Sequence, residues 1–109
     1  MSGRERQHSW SSYLDKQKQD KIFGRYTFTA DFNEIEEFAV IYLTTIDGRA
    51  VEVIRYDCCG NEAVNVHRFY RNPPIKIFLN KQKSFDTLLE FIKDIEKNWR
   101  IYKARFLEK

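Results

Sequence analysis

The dipeptide Asp47-Gly48, set between two runs of strand-forming residues, constrains this chain most. A two-residue Asp-Gly loop suits a type I′ turn, which needs positive φ at both positions and whose twist matches that of paired strands. The run before it, IEEFAVIYLTTI over residues 35–46, is apolar on both faces from Phe38 to Leu43. The run after it, residues 50–57, alternates Val51, Val53 and Arg55 with Glu52, Ile54 and Tyr56. These two runs form a hairpin. Its first strand is expected at the centre of a sheet, covered on both faces, or covered on one and joined to another chain on the other.

Further strands follow on either side. Residues 25–32, RYTFTADF, alternate Tyr26, Phe28, Ala30 and Phe32 with polar positions and read as a strand, with a turn at Asn33-Glu34. Cys58-Cys59-Gly60-Asn61 is expected to close a second hairpin, Gly60 supplying positive φ, with residues 63–70 as the next strand. In that register Arg55 opposes Val64 and Glu52 opposes His67. Arg55, Asp57 and Arg68 then share one face, and Glu52, Tyr56 and His67 the other. Pro73 and Pro74 interrupt the run, leaving residues 75–79 as a short edge strand.

Ser84 is placed to cap a helix over residues 84–107. Phe85, Leu88, Leu89, Ile92, Ile95, Trp99, Tyr102 and Phe106 recur there at spacings of three and four. Phe91 falls on the border of that apolar face and Ile101 opposite it. Residues 9–23 are read as an N-terminal helix stopped by Gly24, with Trp10, Tyr13, Leu14 and Ile22 as a thin apolar stripe. Residues 1–8 are expected to be disordered. The expected fold is α+β, a single domain over 1–109: an antiparallel meander of four or five strands spanning 25–79, a long C-terminal helix packed on one face, and the N-terminal helix.

Composition narrows the function classes. With 109 residues, 42% hydrophobic and 16% aromatic, the chain suits one packed core. A net charge of +3 does not by itself argue for nucleic acid. The two cysteines, Cys58 and Cys59, are adjacent and frame no disulfide network, which fits a reducing cytoplasm. No long apolar run suggests a signal peptide or transmembrane helix, so a cytoplasmic protein without a membrane partner is expected. Gly-rich phosphate loops and nucleophile elbows are absent from the sequence. Adjacent cysteines do not match the C-x₂-C spacing of a zinc site, and neither a metal nor another cofactor is expected.

Polar residues able to do chemistry concentrate between residues 51 and 70. His67 is the candidate acid/base near neutral pH. Arg55 and Arg68 can hold a phosphate bidentately, and Asp57 can orient an arginine. Tyr56 and Tyr70 can donate a hydrogen bond or stack on a base. Together these are the parts of metal-independent phosphodiester cleavage. The competing reading makes His67 a cross-strand packing partner and Arg55–Asp57 a structural ion pair. The expected register favours that competitor, because it separates His67 from both arginines.

The run Arg55-Tyr56-Asp57, Gly60 three residues on, His67-Arg68-Phe69 and a closing helix with Asn98-Trp99 resembles TumE-type toxins of prokaryotes and their archaeal relatives. In that family's pattern an R-Y-D strand precedes H-G, then H-x-H, then a C-terminal helix; the resemblance covers residues 38–106. Arg55, Asp57 and His67 match by position. Cys59 stands where the pattern has its first His, and Asn65 where H-x-H has its first member. The resemblance implies a toxin that attacks RNA or translation, with a cognate antitoxin as partner. The alternative is a non-enzymatic interaction domain that forms a homodimer or binds an antitoxin. Its contacts would be the strand over 35–46 and the Phe91/Ile101 edge of the helix.

Overall fold

Asp47 and Gly48 take φ values of 52° and 78°, the two positive angles of a type I′ turn. They join β3 (Ile35–Ile46) to β4 (Arg49–Asp57) at the centre of a six-stranded antiparallel sheet. The computed structural model describes residues 5–109. Its other elements are β1 (Gln7–Tyr13), β2 (Asp20–Phe28), β5 (Asn65–Arg68), β6 (Ile75–Phe78) and α1 (Phe85–Glu108). The strands lie side by side in chain order, so the sheet is a meander with only local connections. Ser84 caps α1 by accepting from the Thr87 N–H, one of the amides that a helix start leaves free.

The expected N-terminal helix does not form. Residues 9–23 are most of β1, a turn and the start of β2, so the strands number six rather than four or five. Ser9, Ser11 and Ser12 are weak helix formers, and the thin apolar stripe cannot hold a helix on the core. Pairing with β2, from Gln7↔Thr27 to Tyr13↔Lys21, satisfies the backbone instead. In the turn the Asp15 carboxylate accepts from the Gln19 and Asp20 N–H groups at 3.0 and 2.9 Å. Gly24, expected to stop a helix, is mid-strand against the Trp10 ring, where a Cβ would come within 2.5 Å of a ring carbon. Of the segment expected to be disordered, Gln7 and His8 belong to β1, and residues 1–4 lie outside the described residues.

The second hairpin is also looser than expected. The Cys58 N–H donates to the Phe38 carbonyl at 3.0 Å, and the Val64 carbonyl accepts from the Leu79 N–H at 2.8 Å. Both side chains are buried. The chain is therefore anchored at 58 and at 64, and pairing resumes only at Asn65. The observed register sets Asp57 opposite Asn65 and Arg55 opposite His67. Asp57 thus faces Asn65 rather than Glu62, a shift of three residues, and an odd shift exchanges the faces of the strand.

Alternation along the strands puts Ile22, Phe38, Val40, Tyr42, Ile54 and Val66 on one face, against Leu88, Phe91, Ile95 and Trp99 of α1. Each such buried side chain contributes about 2 kcal/mol. Phe91 belongs to this core, packed between Phe38 and Tyr56, whereas Ile101 is exposed. Among the described residues no second layer covers the other face. β3 is therefore covered on one side only; Ala39, Ile41 and Leu43 point to the uncovered side, with Phe23 paired beside Ile41.

Candidate functional site

The uncovered face carries a polar cluster on β4 and β5. Asp57 closes β4 and is only 5% exposed. Its Oδ1 accepts from Asn65 Nδ2 at 3.0 Å. Its Oδ2 lies 3.7 Å from Arg55 Nη1, within ion-pair reach, and 3.8 Å from His67 Nε2; both distances are longer than a hydrogen bond. The register, not the sequence spacing, brings these three side chains together. His67 stacks on Phe69, two residues along the same face.

Glu52 completes the cluster. Its two carboxylate oxygens accept from Arg55 Nε and Nη2 at 2.7 and 2.8 Å, a bidentate pair that raises the guanidinium further above its ordinary value. Strict alternation would put residues 52 and 55 on opposite faces. A register shift between Tyr42 and Leu43 gives β4 one extra residue and so rotates Glu52 onto the face of Arg55. The sequence carries no signal for that bulge, and it had placed Glu52 across from His67.

The remaining residues singled out from the sequence are elsewhere. Arg68 pairs with Ile54 and so lies on the helix side of the sheet. Tyr56 stacks flat on Phe91 at 4.0 Å and donates to Asp94 at 2.7 Å; burial and that bond push its hydroxyl well above the ordinary tyrosine value. Tyr70 is buried and stacks on Tyr102. Neither ring is available to a base on the uncovered face, because both pack against α1.

Two further groups join the margin of the cluster. Arg25 donates to Cys59 Sγ at 3.2 Å and lies 3.7 Å from Glu37, whose other oxygen accepts from the Gly60 N–H at 2.8 Å. Burial pushes the Cys59 thiol up, with Arg25 pulling the other way. Burial likewise pushes Cys58 up to about 11, so neither sulfur is a thiolate nucleophile at neutral pH. The polar side of the 25–32 alternation was the available signal for Arg25. Asn65 is fully buried, and its Oδ1 has no hydrogen-bond donor. Among the described residues no three His, Cys, Asp or Glu side chains converge as a metal site.

Chemically, the cluster offers an imidazole backed by a carboxylate and flanked by a clamped guanidinium. It stands on the open face of a sheet whose other face is covered by one helix, and that pairing of fold and site defines the class: a small, two-layer α+β protein with an Asp-His-Arg cluster. The chain belongs to the family of a domain of unknown function, DUF7718, whose model matches residues 2–109. Comparison with curated proteins and with solved structures gives no match. No helix among the described residues is long and apolar enough to cross a membrane.

Proposed function

We propose that the protein is a toxin-like member of a toxin–antitoxin pair that acts on RNA in the cytoplasm, as a metal-independent ribonuclease or an RNA-binding inhibitor of translation. The convergence of Arg55, Asp57 and His67 around one buried carboxylate carries this reading. These are the residues that match the TumE-type pattern by position. In the cleavage reaction His67 takes the proton of a 2′-hydroxyl, and the 2′-oxygen bonds to the adjacent phosphorus. The bond to the 5′-oxygen breaks, and that oxygen leaves with a proton returned from the imidazolium. Asp57, 3.8 Å from the ring, offsets the charge of the imidazolium that forms, and Arg55, held in plane by Glu52, faces the charge that develops on the phosphoryl oxygens.

Induced expression tests it. Wild type is expected to arrest growth, while His67→Ala and Arg55→Ala, both folded by circular dichroism, are not; purified wild type should then shorten added RNA and the variants should leave it intact. A wild type that is harmless when expressed alone removes the enzyme reading.

One observation favours a second reading, a non-enzymatic domain that binds an antitoxin or another copy of itself. Of the two arginines assigned to phosphate, one is gripped by Glu52 and the other lies on the helix side of the sheet. Beside them the uncovered face continues into the half-buried Phe23 and Leu43 on either side of the buried Ile41, and a protein partner can bury what they still expose.

A further inference from the structure

The two edges of the sheet are built differently. β6 has four residues, follows Pro73 and Pro74, and contains Lys76; short length, proline and lysine all protect an edge against pairing with another strand. β1 has seven residues, QHSWSSY, with no proline and no Lys, Arg, Asp or Glu. It pairs with β2 without a bulge along its whole length.

The backbone bonds framing β1 set which of its groups face outward. The Leu14 N–H donates to the Asp20 carbonyl, and the Phe28 N–H to the Arg6 carbonyl, both at 2.8 Å. In an antiparallel pair, alternate residues bond the same neighbour. His8, Trp10 and Ser12 therefore turn their amide groups toward β2, and Gln7, Ser9, Ser11 and Tyr13 turn theirs away. No backbone group among the described residues pairs with those outward amides and carbonyls, and the four residues are exposed.

We propose that β1 is a dimerisation strand, to which β1 of a second copy adds antiparallel across a twofold axis at Trp10. The strand is self-complementary there. Across the axis Gln7 opposes Tyr13, Ser9 opposes Ser11, His8 opposes Ser12, and Trp10 opposes its own copy. The outward residues of both strands then form hydrogen-bonded pairs that exchange two bonds each, leaving none of the four unpaired. Trp10 occupies the non-bonded position, where facing Cα atoms are about 4.5 Å apart and side chains are closest. Its ring leans inward over Gly24 of β2 on the helix side, which leaves the join itself to the backbone ladder and the short Ser9 and Ser11 side chains. A second copy fits because β1 carries no Lys, Arg, Asp or Glu, runs without a break, and matches itself in length and parity. The assembly is one continuous sheet with β6 as its only free edge at each end. This inference does not rest on the proposed RNA activity.

Light scattering on the gel-filtered full chain tests it, comparing wild type with Ser9→Pro and Ser11→Lys. Ser9→Pro removes an outward N–H that the chain's own ladder does not use. Ser11→Lys leaves every backbone group in place and adds an edge charge. Wild type is expected at twice the chain mass, and each variant at half that value with an unchanged circular dichroism spectrum. Wild type at single-chain mass up to its solubility limit overturns the proposal, and so does a dimer that survives in either folded variant. If Ser9→Pro unfolds, Ser11→Lys decides alone.

Discussion

Asp20 and Asp57 are both buried carboxylates of the sheet, 1% and 5% exposed, and they sit on opposite faces. Around Asp20 the structure closes. Tyr42 and Thr44 donate to it at 2.6 and 2.8 Å, and Lys103 reaches down from α1 at 3.0 Å. Burial pushes the Asp20 carboxyl up, but those donors outweigh it and hold the group below its ordinary value. Around Asp57 there is one hydrogen bond of ordinary length and two basic side chains held at 3.7 and 3.8 Å. His67 and Arg55 remain a quarter exposed, at 25% and 28% of their side chains. A saturated network pins a helix to a sheet; one with slack keeps groups that can still reach a ligand. Burial of a carboxylate therefore does not by itself mark a site in this protein. The unused bonding capacity around it does.

The contrast breaks most visibly on stability. Asp20→Ala is expected to cost about 3 kcal/mol, because it strips the shared acceptor from Tyr42, Thr44 and Lys103. Urea unfolding at pH 7 measures it, and a loss no larger than that of the matching Asp57 variant would erase the distinction. The same cluster should govern the acid limb. With the folded value depressed, the stability Asp20 contributes is complete above the unfolded value of about 3.9 and is lost as pH falls through the folded one. Between pH 6 and pH 2 the urea midpoint of wild type should fall more steeply than that of Asp20→Asn; parallel curves would count against the clamp.

Asp57→Asn should cost less, about 1.5 kcal/mol, while removing growth arrest if the proposed chemistry holds. Arrest at wild-type strength would place Asp57 outside the reaction. The smallest effect is expected for Tyr56→Phe, about 1 kcal/mol for the lost bond to Asp94. Its ring stack on Phe91 persists, and so should growth arrest, because the hydroxyl lies under α1 rather than on the uncovered face. A loss of arrest in the folded variant would make the Tyr56 hydroxyl part of substrate binding.

Much of the chain was legible from its sequence wherever the signal is local. The Asp47-Gly48 turn, the Ser84 cap and the three-and-four spacing of Leu88, Ile92, Ile95 and Trp99 each involve residues that are neighbours in the chain and in space. Arg55, Asp57 and His67 were also identifiable by residue type. What went astray depended on distant partners. Residues 9–23 carry enough helix-friendly side chains to suggest a helix, yet the Trp10 ring fits only against the bare backbone of Gly24 on a neighbouring strand.

The sequence by itself determined the α+β class, the central hairpin, the C-terminal helix and the residue types of the candidate site. Tertiary structure alone decided which of those residues meet. The Cys58 N–H is claimed by Phe38 and the Val64 carbonyl by Leu79, contacts across the sheet that no local pattern encodes. They delay the start of β5 to Asn65. Because side chains alternate along a strand, that delay turns His67 to the face of Arg55 and Asp57. The bulge beside Val53 does the same for Glu52, and the Asp20–Lys103 clamp joins residues 83 positions apart. Side-chain direction in a sheet follows from register, and register is fixed by hydrogen bonds between strands rather than by the order of residues within one.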